Sequence, residues 1–152
     1  MSSYRPRRSV LYMPAANERA LEKAKDIQAD ALIFDLEDAV APDSKEIARE
    51  QACVAASSSD YGNRELSIRC NGLDTPWGRE DVLAAAAAAP AAVVIPKVDG
   101  PAYLDQISDL LDQGGAPSST QIWAMVETPV GILNVDQIAH HKRMSVMVLG
   151  TN

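Results

Sequence analysis

Glu127 follows the apolar run Ile122-Trp123-Ala124-Met125-Val126 and precedes a helix start, where a carboxylate is partly drawn out of water. Such a carboxylate is costly unless a cation or several donors meet it. Mg2+ would do so, as a hard cation held by one or two protein carboxylates together with waters and substrate oxygens. A salt bridge to Lys97 or Arg69 on neighbouring strands is the competing fate. Arg69, with Asn71 two residues on, ends the run Leu66–Ile68 and offers a guanidinium fork suited to a carboxylate or a developing enolate oxygen. Its competing partner is the acidic stretch Asp35-Leu36-Glu37-Asp38 after Ala31–Phe34. Lys97, after Val93–Pro96, reads either as a pocket cation or as the group that neutralises an acid. Asp74 supports a loop or a helix start. His140 and His141 fall near a helix end, where facing solvent or compensating the helix dipole is expected.

The elements that must position these groups follow from the apolar pattern. Strands are predicted at Val10–Met13, Ala31–Phe34, Glu65–Arg69, Ala92–Ile95, Ile122–Val126 and Val146–Leu149. Asn17 caps a predicted helix reaching about Gln28, and Asp43 with Glu46 forms a capping-box pattern for a helix to about Ala56. Thr75-Pro76 and Thr128-Pro129 each place a capping hydroxyl before proline at a first helical position. These starts predict helices to Pro90 and to about His140. A further helix after Pro101 stops at Gly114-Gly115. Six strands thus alternate with five helices, and no hairpin signal joins two strands. Right-handed crossovers and a parallel sheet follow. In such folds the C-terminal strand ends share one face, so the polar groups placed there converge. Both an open doubly wound sheet and the first three quarters of a (β/α)8 barrel satisfy the alternation.

The 152 residues suit one domain, residues 1–152, and 47% hydrophobic with 23% charged residues is ordinary for a soluble globular protein. A net charge of -7 gives no global field to attract nucleic acid or an anionic membrane. Arg5, Arg7 and Arg8 are a local exception, either solubilising or anion-binding. Cys53 and Cys70 have no metal spacing, which predicts a reduced cytoplasmic chain. No segment is apolar for the length of a membrane span, and no apolar region of a secretory signal follows the N-terminal arginines.

The stretches Arg7-Arg8-Ser9-Val10-Leu11-Tyr12-Met13-Pro14, Phe34-Asp35-Leu36-Glu37-Asp38-Ala39-Val40 and Arg69-Cys70-Asn71-Gly72-Leu73-Asp74-Thr75-Pro76-Trp77-Gly78 resemble the HpcH/HpaI aldolase/citrate lyase family. The likeness is greatest to citrate lyase beta subunits and their stand-alone relatives. Ile95-Pro96-Lys97-Val98 and Val126-Glu127-Thr128-Pro129-Val130-Gly131 continue the match in order, over nearly the whole chain. The resemblance implies a (β/α)8 TIM barrel that makes or breaks a carbon–carbon bond beside a CoA-type thioester, with Mg2+. It implies a metal ligand at Glu127 that also contacts substrate, and a binder of the substrate carboxylate or thioester-derived enolate at Arg69. Glu37 and Asp38 would fix water and the arginine near the site. Arg8 would lie towards the CoA side. Lys97, as a pocket cation, is a further candidate for binding substrate. Relatives of this type are commonly trimers. In the family, the motif Gly150-Thr151-Asn152 continues into an aspartate that is the second protein ligand to Mg2+. The sequence ends one residue short of it, so a C-terminally truncated barrel of six strands and five helices is expected.

The chemistry so implied is retro-Claisen or retro-aldol cleavage of a citryl-, malyl- or citramalyl-type thioester. Two other readings compete. A catalytically inactive fragment of such a lyase would carry the same residues on open sheet edges. A phosphorelay receiver domain also places acids, a threonine and a lysine at strand ends. Receivers, however, carry their acidic pair after strand one and the lysine after strand five, whereas here the acids follow strand two and Lys97 follows strand four.

Overall fold

All six apolar runs become strands: β1 (Val10–Pro14), β2 (Ala31–Asp35), β3 (Glu65–Arg69), β4 (Ala92–Ile95), β5 (Gln121–Val126) and β6 (Met144–Leu149). The structure, a computed structural model, describes residues 5–150, so Thr151 and Asn152 of the last motif lie outside the described residues. Every neighbouring pair is parallel, and the spatial order β1-β2-β3-β4-β5-β6 repeats the chain order. A doubly wound sheet reverses its order at a switch point. The absence of a reversal makes this a barrel-type sheet, wound one way throughout.

The two faces of the sheet bury different things. One carries Leu32, Phe34, Ile68, Val93, Ile95, Ile122, Ala124 and Val126 against helix residues such as Ala52, Val82, Leu104, Ile107 and Ile138. The other is a smaller cluster of Ala31, Ile33, Ala92, Val94, Trp123 and Met125 with Val146 and Val148, and no helix residue joins it. That second face is the barrel interior. Burial on both faces explains why β2, β4 and β5 read as continuous apolar runs. At the N-terminal end of the interior the Arg7 guanidinium lies 5.1 Å from the Trp123 ring and pairs with Glu65. Among the described residues β1 and β6 have a strand neighbour on one side only, and Val10, Tyr12, Met147 and Leu149 are partly exposed.

The helices depart from expectation where local hydrogen bonds compete. α1 (Glu18–Ala24) is capped by the Asn17 side chain as predicted but stops a turn early. Asp43 does not cap α2 (Lys45–Ala56); Pro42–Ser44 winds into a single 3-10 turn instead. Thr75 does not cap α3 (Gly78–Ala88) either. Its hydroxyl donates to the Gly72 carbonyl and accepts from the Gly78 N–H, closing the loop two residues before the helix. Gly78 is needed there, because a Cβ would fall 2.1 Å from that carbonyl oxygen. α4 (Pro101–Gln113) ends at Gly114 as predicted. The Thr128 hydroxyl caps α5 (Pro129–Leu133), but the helix does not run on to His140. Asn134 turns its side-chain amide to the Asp99 carbonyl, and α6 (Val135–Ala139) starts anew, so the five expected helices are six among the described residues. The His141 side chain, expected to face solvent or to compensate the helix dipole, is only 5% exposed and faces Asp105 at 3.4 Å. No described helix is long and apolar enough to cross a membrane.

Candidate active site

Asp35 and Arg69 are the last residues of adjacent strands and stand directly opposite in the register. On β2 the side chains of Ala31, Ile33 and Asp35 alternate onto the interior face, so the final carboxylate points inward beside the guanidinium. Two parallel charge-assisted bonds join them, Nε to Oδ1 at 2.7 Å and Nη2 to Oδ2 at 2.6 Å. Asp35 also accepts the N–H of Glu37 at 2.8 Å and of Ala39 at 3.1 Å, which folds the acidic turn back over the strand end. Arg69 Nη1 then lies 3.1 Å from the Glu37 carboxylate and 3.8 Å from the exposed Asp38.

The fork that could have clasped a substrate carboxylate is therefore taken by Asp35. What Arg69 presents is its outer edge, with one N–H of Nη2 free of any partner among the described residues. The Tyr12 ring covers one face of the guanidinium, centroid 4.8 Å from its carbon. Burial works against the charge of Arg69, but Asp35 and Glu37 outweigh it and hold the group above its ordinary range. Arg69 is thus a fixed, permanently charged donor.

Burial pushes the Glu37 carboxyl up; Arg69 opposes this, while Asp38, Glu127 and Asp35 add to it. The Tyr12 phenol is raised by burial as well and feels Arg69, Asp35, Glu127 and Glu37. Arg69, Glu37, Asp38, Glu127 and Tyr12 accordingly share one electrostatic neighbourhood at the C-terminal end of the sheet.

Glu127 is half-buried one residue past β5. Its Oε1 accepts the backbone N–H of Lys97 at 2.8 Å. No ion pair forms between Glu127 and either Lys97 or Arg69 among the described residues. Lys97 adopts a positive φ of 50°, which turns its N–H towards Glu127 while its side chain stands exposed at the same edge. Oε2 lies beside Gly150, where a Cβ would approach to 2.5 Å. This carboxylate fits a hard divalent cation, with one oxygen anchored by an N–H and the other without a hydrogen bond among the described residues. Among the described residues no set of three His, Cys, Asp or Glu side chains forms a closed metal cage. An open site of the Mg2+ kind needs only one or two carboxylates.

The Gly150 contact yields a prediction. Gly150→Ala should displace the Glu127 carboxylate and raise the Mg2+ concentration for half-maximal activity about tenfold or more. A metal titration of the variant that overlays the unsubstituted protein would show that Oε2 has room to spare.

Arg8 does not reach this edge. It precedes β1, at the opposite end of the sheet, and its guanidinium pairs with Asp30 at 2.9 Å. The strand's direction puts this N-terminal flank at the barrel floor, so Arg8 is not among the residues brought together at the C-terminal edge. Tyr12 is the site residue that sequence reasoning passed over, while Asp35 was named only as part of the acidic stretch competing for Arg69. Strand alternation on β2 and β1 was the signal available for both.

Comparison with known proteins supplies the context. The profile of the HpcH/HpaI aldolase/citrate lyase family matches residues 8–152. A (3S)-malyl-CoA thioesterase of Cereibacter sphaeroides is 47% identical over 147 residues, covering 97% of this chain and 50% of the relative. The citrate lyase subunit beta of Escherichia coli is 36% identical over 152 residues, covering 96% and 50%. The CitE protein of Mycobacterium tuberculosis, solved with magnesium, acetoacetate and coenzyme A, superposes with a TM-score of 0.73 at 26% identity, covering 93% of this chain and 47% of that one. The chain spans about half the length of the curated relatives it matches.

Proposed function

We propose, for a chain that belongs to the HpcH/HpaI aldolase/citrate lyase family, an active site for a malyl-type CoA thioester whose carbon–carbon bond is cleaved beside the thioester. The observation that carries this reading is the pairing of two unlike groups at one strand edge. Arg69 is a guanidinium locked by Asp35 and Glu37, and Glu127 is a half-buried carboxylate with one oxygen lacking a hydrogen bond among the described residues.

In cleavage the substrate's 3-hydroxyl loses its proton and its oxygen becomes a carbonyl. The electron pair of the adjacent carbon–carbon bond moves into the acyl fragment, placing negative charge on the thioester oxygen, and that enolate then takes a proton on carbon. The outer edge of Arg69 meets this charge as it grows, a donor aimed at the transition state more than at the ground state. Because Asp35 holds the fork, the guanidinium need not reorganise when charge arrives. Glu127 is the residue to hold Mg2+, which when bound acts as a Lewis acid on hydroxyl and carboxylate oxygens. Lys97 is placed to meet outlying anionic groups of the substrate, and Glu37 with Asp38 keeps Arg69 in place. A cytoplasmic, homo-oligomeric single-domain barrel is part of the same proposal.

Thioester hydrolysis is a second reading, favoured by the 47% identity to a malyl-CoA thioesterase. It uses the same arginine, since attack of water also puts negative charge on the thioester oxygen. The Glu37 carboxylate, made more basic by burial, is the candidate to take the water's proton. Product analysis of the intact protein with a malyl-type CoA thioester and Mg2+ separates the two. Cleavage releases an oxo acid, trapped as a hydrazone, without free thiol. Hydrolysis releases free CoA thiol without oxo acid. Neither product from the folded protein would end the assignment.

A further inference from the structure

Lys45, the first residue of α2, is a lysine with 5% exposure at the positive end of a helix dipole, where a cation is disfavoured. Its position is explained by its acceptors. The ammonium donates to the Leu36 carbonyl at 2.7 Å, to the Glu37 carbonyl at 2.7 Å and to Asn71 Oδ1 at 2.8 Å, so all three N–H groups are used. The Trp77 ring closes over it at 5.2 Å. Burial lowers its pKa while Asp35, Asp81 and Glu37 oppose the loss of charge.

These partners belong to the two loops that carry the anion site. Leu36 and Glu37 form the turn after β2, and Asn71 follows Arg69 on the loop after β3. Asn71 is itself held by Asp81 of α3, through its backbone N–H at 3.0 Å and its amide at 2.6 Å. Arg49, one turn beyond Lys45 on α2, completes the chain by pairing with Asp81 at 2.7 Å. Two helices thus grip the backbone of the turn that presents the Glu37 carboxylate to Arg69.

We propose that Lys45 is a positioning residue: it fixes the Leu36-Glu37 backbone so that the Glu37 carboxylate holds the outer edge of Arg69 in its working orientation. An ammonium is suited to this task because three acceptors converge from different directions. A guanidinium has planar donors and a neutral side chain lacks three N–H groups. The role rests on the thioester reading above and lies outside the residues that touch substrate.

The experiment is a double-mutant cycle in the intact protein, with kcat and KM measured on the malyl-type thioester and thermal unfolding recorded for each variant. Lys45→Met should lower kcat at least 30-fold with KM changed less than threefold, and Glu37→Gln should lower kcat comparably. The double variant should fall within about threefold of the worse single variant, because the two residues act through one geometry. Lys45→Arg should recover part of the lost kcat. Should Lys45→Met fail to fold, Lys45→Arg takes its place in the cycle and should have no further effect on Glu37→Gln. Effects that multiply, or a Lys45 variant with near-normal kcat, overturn the proposal while leaving the thioester reading intact. Absence of turnover in the unsubstituted protein removes both.

Discussion

Arg69→Lys is expected to lower kcat by roughly two to three orders of magnitude, the range seen when one oxyanion donor is removed from an active site. The substitution keeps the charge and loses the geometry. A guanidinium can give Asp35 two parallel bonds and still present an outer edge to substrate. An ammonium that stays with Asp35 has no edge left to offer, and one that turns to substrate strips Asp35 of its partner. Asp35 would then rely on the N–H groups of Glu37 and Ala39, so a loss of about 1–3 kcal/mol in stability should accompany the kinetic effect. Denaturant unfolding measures the stability and steady-state kinetics the rate. A lysine variant with unchanged kcat would show that the arginine is an ion-pair anchor and takes no part in the reaction.

Glu127→Gln should be more severe for the metal and milder for the fold. The amide oxygen can still accept the Lys97 N–H, so the loop between β5 and α5 keeps its anchor. The negative charge is lost, and with it the affinity for a hard cation. We expect Mg2+-dependent turnover to fall by roughly three orders of magnitude or more, as expected when a metal-holding carboxylate is neutralised. Thermal unfolding provides a separate readout. A cation at one hundred times its Kd stabilises the folded state by about 2.7 kcal/mol, which should raise Tm by several degrees in the unsubstituted protein and by nothing in the variant. If Mg2+ leaves the unfolding of the unsubstituted protein broad and unmoved, the chain is better read as an inactive portion of such an enzyme. If it raises Tm equally in both, the cation sits elsewhere.

Strand positions were the most legible part of the fold, because strands buried on both faces leave long apolar runs that few other elements produce. All six were found, with bounds off by at most two residues. Helix ends were harder, since single side chains decide them. Thr75 closes a loop onto Gly72, and Asn134 breaks a helix by reaching Asp99, and neither choice is visible without the third dimension. The site shows the same division. Arg69, Glu37 and Glu127 could be placed from strand ends alone. The commitment of the Arg69 fork to Asp35 depends on register, which aligns the two only once β2 and β3 are paired. Lys45 gave no signal at all, because a lysine opening a helix ordinarily faces water. Arg8 was assigned by the motif around it, while strand direction decides which end of the barrel a flanking residue reaches.

The sequential order of the sheet bears on how the molecule assembles. Each strand pairs with the one synthesised just before it, a few tens of residues back, so no pairing within these six strands closes a long loop. Loop-closure entropy grows slowly with length, yet it is met afresh at each pairing, and here every increment is small. Strands can therefore be added one βα unit at a time in the direction of synthesis, each new strand laid on an edge already formed. The Arg69–Asp35 pair, made between the second and third strands, needs no residue of β5 and can form before β5 delivers Glu127. In that order the proposed anion-stabilising half of the site can form early, and the proposed metal-holding half can join a framework that already exists.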